Sequence, residues 1–479
     1  MAKARISLFI ICGLAAFQFS GGGHLHSQNF KDQVSFKRFV NGMAALLVRR
    51  HDAPTITAIC GLKAGGVDDP PGFSGTAHLV EHLMRRLILE PSQAKGLYGE
   101  LSKEYSKGAG MDPQKVNDLE AKIAALEEQT KEMQLMAAVT FDYVYYFGTF
   151  SSSQVELFCR MASGFLKGSL PEGILKEREI LLAERRSYWD ATGKIGEQIQ
   201  ALTFAGGPYG RPVAGRPQEI LAITPAVALK FLKKYYVPNN CLLVFVGDLS
   251  SESLFPTIEK HFGNIPRGQE PRASIRPEPP ARRERRLVLP AETKPEILMN
   301  FIKPPFPHKD DLVSMILGRI LTKGDSSRLN SDLIKTRRMA EEVKVSWGPG
   351  ERYENTFGLS AVPAPGHAPE ELETAILGHL ESLKQDLVDE AELRRAKDEI
   401  ADGHGPGMES APAIAMVVTH YQLILGDWQL GFKMKELCSV VTPNNIREFA
   451  RRYFIPENRT TILFTKRGPQ EVALARGPE

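Results

Sequence analysis

The sequence predicts an α+β protein made of two homologous domains, each a mostly antiparallel sheet covered by helices. Three observations favour this fold class. The 479 residues are too many for one ordinary core and favour two domains of roughly 200 residues each. Strand-like and helix-like segments alternate irregularly, and one helix-turn-strand sequence occurs twice. Apolar residues at 42% and charged residues at 24% are typical of a folded globular chain.

Residues 1–29 are expected to be a signal peptide. Lys3 and Arg5 precede an apolar run at residues 6–17, which small residues follow. This run is too short to span a bilayer, although an uncleaved membrane anchor is the alternative. Cleavage would remove two basic residues and lower the net charge from +3 to about +1. We therefore expect a secreted or periplasmic protein without a stable membrane span.

Nearly neutral overall charge argues against nucleic acid as a partner. The basic stretch "RRERR" at residues 282–286 has no interleaved aromatic residues and is expected to be a solvated connection. Four cysteines remain after cleavage, too few and too far apart for a disulfide scaffold. Their apolar surroundings predict buried free thiols, and these residues are Cys60, Cys159, Cys241 and Cys438.

A segment that begins at Ile223, "ITPAVALKFLKKYYVPNNC", aligns without a gap with "VTPNNIREFARRYFIPENR", which begins at Val441. The identical positions are Thr224, Pro225, Phe231, Tyr235, Pro238 and Asn240, which match Thr442, Pro443, Phe449, Tyr453, Pro456 and Asn458. In both copies Thr-Pro is typical of a helix N-terminus, and the Pro-Asn turn leads into a strand-like run. This repeat indicates an internal duplication.

The duplication and the composition between the copies predict the domain boundaries. We expect a first domain at residues 30–262, a linker rich in proline and arginine at 263–286, and a second domain at 287–479. Strand segments that alternate with period two predict sheets with helices on one face.

The first half also carries a helical insertion at about residues 105–136. An apolar stripe predicts that this helix packs on its own domain, with partner binding as the alternative, and the stripe consists of Val116, Leu119, Ile123, Leu126 and Met133.

The stretch "GTAHLVEHLM" at residues 75–84 carries the candidate chemistry. A spacing of four places His78 and His82 on one helix face, where both imidazoles can reach one ion. Glu81 lies on the neighbouring flank and can reach a water held by that ion. Catalytic zinc uses three protein ligands and an open fourth position, so a third ligand must come from elsewhere. The alternative is a helix with two hydrogen-bonded or exposed histidines.

The third ligand is expected on the charged helix "GILKEREILLAERRSY". Glu177 and Glu184 are seven residues apart and share one face, and periodicity alone does not choose between them. Both could instead be surface acids that pair with neighbouring arginines. The remaining histidines stand alone and are expected to be surface or core residues, for example His261, His308, His404 and His420.

The His-x-x-Glu-His spacing is the inverted zinc-peptidase signature, and "GVDDPPGFSGTAHLVEHLM" resembles the active-site region of the pitrilysin/insulinase (M16) metallopeptidases. "GPYGRPVAGRPQEILAIT", "YYVPNNCLLVFVGDL" and "GDSSRL" are also similar to that family. The resemblance implies two domains that enclose a substrate chamber, with one Zn²⁺ held by the first. Carried over by position, it makes His78, His82 and Glu184 the metal ligands, Glu81 the general base and Glu177 a supporting acid.

The chain length is similar to that of the shorter subfamily, which includes mitochondrial processing peptidases and bacterial secreted relatives. This implies peptide substrates and a homo- or heterodimer with another chain of the same type. Three departures alter the expected substrate grip. "RRLILEPSQ" stands where the family has a Phe-Lys-Gly-Thr stretch, "MAAVT" lacks the asparagine that holds peptide backbone, and Glu341 replaces a tyrosine.

The sequence therefore predicts a secreted or periplasmic zinc metalloendopeptidase that hydrolyses peptides or unfolded segments with a metal-activated water. The alternative function is a non-catalytic or partner-dependent subunit that binds or assembles within a complex of such chains.

Overall fold

The computed structural model describes residues 33–89, 111–133, 135–171, 173–188, 193–271, 283–290, 294–403 and 410–465, with isolated positions between 97 and 107. The predicted signal peptide lies outside these ranges, as does His404. None of the helices within them is both long enough and apolar enough to cross a lipid bilayer.

The first half of the described chain forms a six-stranded sheet. Its strands are Val34–Arg38 (β1), Ala44–Arg49 (β2), Ile56–Leu62 (β3), Met136–Val139 (β4), Val144–Phe150 (β5) and Cys241–Gly247 (β6). Its helices are Thr76–Leu89 (α1), Pro113–Glu132 (α2), Val155–Phe165 (α3), Ile174–Tyr188 (α4), Lys194–Thr203 (α5), Pro217–Ala222 (α6), Pro225–Tyr235 (α7) and Ser251–Phe262 (α8). The strand order is β1-β2-β6-β3-β5-β4, with β2 and β6 parallel and the other pairs antiparallel.

The second half of the described chain forms a five-stranded sheet. Its strands are Arg285–Pro290 (β7), Glu296–Lys303 (β8), Ala340–Gly348 (β9), Asn355–Pro363 (β10) and Arg459–Thr465 (β11). Its helices are Lys309–Thr322 (α9), Pro369–Gln385 (α10), Glu390–Gly403 (α11), Ala411–His420 (α12), Met434–Ser439 (α13) and Pro443–Tyr453 (α14). The last two residues of the predicted linker, Arg285 and Arg286, begin strand β7.

The two sheets share one topology. The order β7-β11-β8-β10-β9 repeats the order β2-β6-β3-β5-β4, and in both sheets the first of these pairs is parallel while the rest are antiparallel. The mixed, mostly antiparallel architecture predicted from the sequence is therefore confirmed, and so is its division into two related halves.

The repeated residues have equivalent roles in the two halves. Thr224 and Thr442 cap helices α7 and α14 by accepting a hydrogen bond from the backbone of the third helical residue. The Asn240 amide donates to the carbonyls of Tyr235 (2.8 Å) and Lys63 (3.1 Å), which ties the helix end to the end of strand β3. Asn458 makes the same pair of bonds in the second half. The repeat thus preserves the joint between a helix and its sheet.

Each sheet packs its own helices into a separate apolar core. The structure differs from the one-sided expectation at the centre of the first sheet, where strands β3 and β6 are buried throughout. Their second face is covered by a third core, in which Ile414, Val418 and Trp428 from the second half pack on first-sheet residues. In return, helix α5 of the first half contacts strand β11. The halves are therefore joined through their sheets.

The helical insertion packs as expected. Val116, Leu119 and Ile123 of helix α2 are buried, as is Met133, and α2 contacts α1. The Leu126 side chain lies outside the described residues. The stripe is therefore used within the chain along its described part.

The four cysteines of the described chain are buried and free, as predicted. The Sγ atoms of Cys60 and Cys241, on the paired strands β3 and β6, are 3.7 Å apart.

Candidate metal centre

Helix α1 carries the histidines, and its N-terminus is fixed by Asp69. The Asp69 carboxylate accepts hydrogen bonds from the backbone of Gly75 and Ala77, both at 2.7 Å. Gly75 has a φ of 89°, which favours glycine, and a Cβ there would also lie 3.0 Å from Gly215 Cα. These contacts set where the helix begins and therefore where His78 points.

The structure brings His78, His82 and Glu184 together, and we call these three residues the candidate metal site. Glu184 Oε2 lies 3.8 Å from His78 Nε2 and 3.3 Å from His82 Nε2. The ring centroids of the two histidines are 4.8 Å apart. Within the described chain, this is the one group of three or more His, Cys, Asp or Glu residues that could hold a metal ion.

The spacing of these atoms fits a zinc ion. Ligands bound at 2.0–2.2 Å to a tetrahedral zinc stand about 3.3–3.6 Å apart. The two oxygen-to-nitrogen distances, 3.3 and 3.8 Å, bracket that range. Two imidazoles and one carboxylate are also a donor set that zinc prefers.

The electrostatics of the imidazoles suit a cation. Burial, followed by the neighbouring His82, lowers the pKa of His78 from 6.5 to about 3, so its ring is neutral and offers a lone pair. Burial opposes the charge on His82 too, but the hydrogen bond to Glu184 and the charge of Glu81 raise its pKa overall. A cation bound between these rings would replace such a proton, so metal binding there would depend on pH.

Glu81 flanks the candidate metal site without joining it. Its Oε2 is 3.9 Å from His82 Nε2, the side chain is buried, and its Oε1 has no hydrogen-bond partner among the described residues. Burial raises the pKa of Glu81 from 4.5 to about 6, which makes the carboxylate a better proton acceptor.

The two glutamates that the sequence left open lie on different sides of His82. Glu184 approaches Nε2, whereas Glu177 Oε2 is 3.4 Å from Nδ1. Glu177 is buried, and its Oε1 is 3.8 Å from Arg86 Nε. A carboxylate beside the far nitrogen can orient an imidazole and raise its basicity, and Glu177 approaches that nitrogen of His82 without a hydrogen bond.

The described part of the second half has no counterpart of this site. Helix α9 follows strand β8 as α1 follows β3, and both helices have 14 residues. Counted from the first helical residue, Asp311 stands where α1 has His78, and Ser314 and Met315 stand where it has Glu81 and His82. The buried Asp311 carboxylate pairs with the buried ammonium group of Lys303.

The substrate-side residues predicted from the sequence are also placed. Strand β4, which contains Met136, is the outer strand of the first sheet, and helix α1 packs against it. Met136 is 58% exposed, so the strand begins in solvent. Glu341 lies on strand β9 and pairs with Lys294, with Nζ and Oε2 2.6 Å apart on the surface. Among the described residues, Glu341 makes no hydrogen bond or ion pair with the candidate metal site.

Sequence reasoning did not identify a group of polar residues that joins the two halves. Asp68, Asp142 and Tyr209 of the first half contact Glu351 and Arg352 of the second. Asp68 and Tyr209 lie inside the family-like segments "GVDDPP" and "GPYGRP", which was the available signal. Arg352 had no such signal.

Comparisons with known proteins agree with this architecture. Residues 222–400 match the family described as the peptidase M16 inactive domain. The chain is 25% identical to the zinc protease PqqE of Helicobacter pylori over 457 residues, which cover 92% of this chain and 95% of that protein. It is 26% identical over 238 residues to the mitochondrial-processing peptidase subunit beta of Lentinula edodes, which is 49% of this chain and 45% of that one.

Solved structures share the fold. A protease from Helicobacter pylori superposes with a TM-score of 0.71 at 22% identity, covering 90% of this chain and 99% of its own. The periplasmic protease PqqL from Escherichia coli gives a TM-score of 0.72 at 12% identity, covering 91% of this chain and 48% of its own. At these identities the likeness concerns the fold, and it confirms the predicted two-half architecture.

Proposed function

Because this chain resembles the M16 zinc peptidases in sequence and fold, we propose that it is a zinc-dependent endopeptidase that hydrolyses peptides or unfolded polypeptide segments. One observation carries the proposal. The Nε2 atoms of His78 and His82 and the Oε2 atom of Glu184 converge from two helices, with the buried carboxylate of Glu81 beside them. No other described part of the chain offers such a set of ligands.

The residues divide the work of hydrolysis. His78, His82 and Glu184 would hold one Zn²⁺ and leave a fourth position open. Zinc, when bound, supplies Lewis acidity that lowers the pKa of a coordinated water toward 7. Glu81 would serve as the general base and acid that takes up a proton and returns it to the leaving amine, a role that its poor solvation favours. Glu177 keeps the His82 ring oriented.

The neighbouring strand offers a place for an extended peptide. Strand β4 is the outer strand of the first sheet, and helix α1 packs against it. A peptide that pairs with the outer edge of β4 would run beside the helix that carries His78 and Glu81. We propose that the chamber between the two halves admits such segments, and that a second chain of the same type, identical or homologous, completes it. We further propose a secreted or periplasmic location.

The variant Glu81→Gln tests the assignment of the general base. It should bind zinc as tightly as the wild type, since Glu81 is not a ligand, but lose peptide hydrolysis. Glu179→Gln is the matched control, because Glu179 is an exposed glutamate on helix α4. Hydrolysis of a mixed peptide library is followed by mass spectrometry, and zinc content is measured on the same samples. If Glu81→Gln keeps wild-type turnover, the proton acceptor is misassigned.

A second candidate function is a binding or assembly subunit without turnover. The absent asparagine in "MAAVT" and the engagement of Glu341 with Lys294 favour it, since both concern the grip on substrate. The wild-type protein, alone and mixed with a homologous chain, distinguishes the two functions. Full zinc occupancy without cleavage in either setting would favour the binding subunit.

A further inference from the structure

A loop of the second half, residues 350–353, docks against the first half through Asp68, Asp142 and Tyr209. Arg352 donates from Nη1 and Nη2 to the two carboxylate oxygens of Asp68, at 2.6 and 3.0 Å. The Asp68 side chain is fully buried, and Arg352 is 12% exposed. A bidentate pair with this geometry fixes both position and orientation.

Tyr209 connects the same loop to the first half. Its hydroxyl donates to Asp142 Oδ1 at 2.8 Å and accepts from the backbone of Arg352 at 3.0 Å. The other oxygen of Asp142 accepts from the backbone of Glu351 at 2.6 Å. A Cβ on Gly350 would lie 2.5 Å from both Asp142 Oδ2 and the Tyr209 hydroxyl, so the loop can approach this closely only with glycine there.

One route leads from the loop to helix α1. Asp68, the partner of Arg352, also accepts a hydrogen bond from the backbone of Gly65, which closes the turn at Gly66–Asp68. The next residue, Asp69, accepts from Ala77, the residue before His78. The guanidinium therefore holds the turn that sets the start of the histidine-bearing helix.

A second route leads to helix α4. The backbone carbonyl of Tyr209 accepts a hydrogen bond from Gln200 on α5. One turn earlier on α5, Glu197 forms a bidentate pair with Arg185 of α4, with Nη2 and Oε2 2.8 Å apart. Arg185 is the neighbour of Glu184. The hydroxyl and the carbonyl of one tyrosine thus join the second half to the helix that supplies the third ligand.

We propose that Arg352 and Tyr209 are positioning residues, through which the second half sets the spacing between the two ligand-bearing helices α1 and α4. This inference rests on the proposed zinc site. It assigns a positioning role to the second half, in which the described residues form no such site. Among the described residues, neither Arg352 nor Tyr209 forms a hydrogen bond or ion pair with His78, His82 or Glu184. Their effect should therefore appear in metal affinity, metal geometry and kcat, with substrate KM little changed, because outer-shell contacts orient ligands.

The test uses two conservative variants of the full chain. Arg352→Lys keeps the charge but cannot form the bidentate pair, and Tyr209→Phe removes only the hydroxyl. Matched controls remove the same groups inside the second half. Arg328→Lys breaks a bidentate pair with Glu392, and Tyr453→Phe removes a hydroxyl that donates to Asp310.

We expect both Arg352→Lys and Tyr209→Phe to raise the zinc dissociation constant about 10-fold or more and to lower kcat by a similar factor. The visible absorption bands of the cobalt(II)-substituted variants should shift as well. The controls should lose comparable thermal stability with none of these changes. Unchanged zinc affinity, cobalt spectrum and kcat in both variants would overturn the positioning role. Wild-type protein that binds no zinc would instead refute the proposed function.

Discussion

Replacing Lys303 with methionine is expected to lower the free energy of unfolding by about 3–5 kcal/mol, the usual cost of breaking a buried ion pair. Lys303 is fully buried, and its ammonium group donates to Asp311 and to Asn355 Oδ1, the latter at 2.7 Å. Methionine fills a similar volume, so the perturbation removes the charge and leaves little cavity.

The magnitude follows from the burial of Asp311. At a separation of about 3 Å and an effective dielectric constant of about 20, the pair attracts by about 5–6 kcal/mol. Without the ammonium, Asp311 can avoid an unpaired charge by taking up a proton. Burial already raises the pKa of Asp311 even though Lys303 opposes the shift, so protonation limits the loss. The net cost therefore falls below the full attraction.

Urea unfolding, followed by circular dichroism and by the fluorescence of Trp347 beside helix α9, measures the change. The double variant Lys303→Met/Asp311→Leu should recover most of the loss, since apolar replacement of both partners is often neutral. Lys294→Met is the control, because it breaks an exposed pair and should leave the midpoint unchanged. A decrease in the free energy of unfolding below about 1 kcal/mol for Lys303→Met would show that the pair does not stabilise the second half.

Three further outcomes are expected. Burial opposes ionisation of His420 and Glu351, yet their mutual attraction, with Nε2 and Oε2 2.9 Å apart, raises the pKa of His420 and lowers that of Glu351. The stability that this pair contributes should be complete between about pH 4.5 and 6.5. It should fall at lower pH as Glu351 is protonated and at higher pH as His420 loses its proton. The variant His420→Gln should flatten this pH profile of the free energy of unfolding, and an unaltered profile would contradict the assignment. Glu177→Gln should weaken zinc binding about 10- to 100-fold with the fold intact, because a neutral amide supports the His82 ring less than a carboxylate does. A competition titration measures this affinity, and a wild-type value would show that Glu177 has no supporting role. Removing zinc with a chelator should lower the melting temperature. If the free zinc concentration was 100-fold above the dissociation constant, the free energy of unfolding should fall by about 2.7 kcal/mol. A His82→Ala variant should show no such response.

Much of the fold could be predicted because the sequence repeats itself where the two halves need the same joint. Asn240 and Asn458 each bridge a helix end and a strand end, so the identity reflects one hydrogen-bonding task performed twice. The cover on the second face of the first sheet was not predicted. Ile414 and Val418 lie more than 150 residues beyond the last strand of the sheet they cover, and no local period indicates such a partner.

Spacing in the sequence decides the geometry of only two of the three residues of the candidate metal site. His78 and His82 share one helix, so the helical repeat alone brings them together. Glu184 comes from another helix, and periodicity left it equivalent to Glu177 until the structure placed the two on opposite nitrogens of His82. Arg352 could not be found from sequence, since an arginine in a glycine-rich loop has no pattern that identifies its distant partner.

The residues at equivalent positions explain how two copies of one unit could diverge. In helix α1 the third residue is a histidine with a low proton affinity, open to an external cation. In helix α9 the third residue, Asp311, has its positive partner supplied from the chain itself by Lys303. An internal ammonium therefore satisfies the buried carboxylate without any metal. A half with its own internal cation is suited to support the other half, whose proposed site would bind a metal ion from solution. Through the loop at 350–353, helices α1 and α4 would then be positioned by a neighbour whose buried charge needs no zinc.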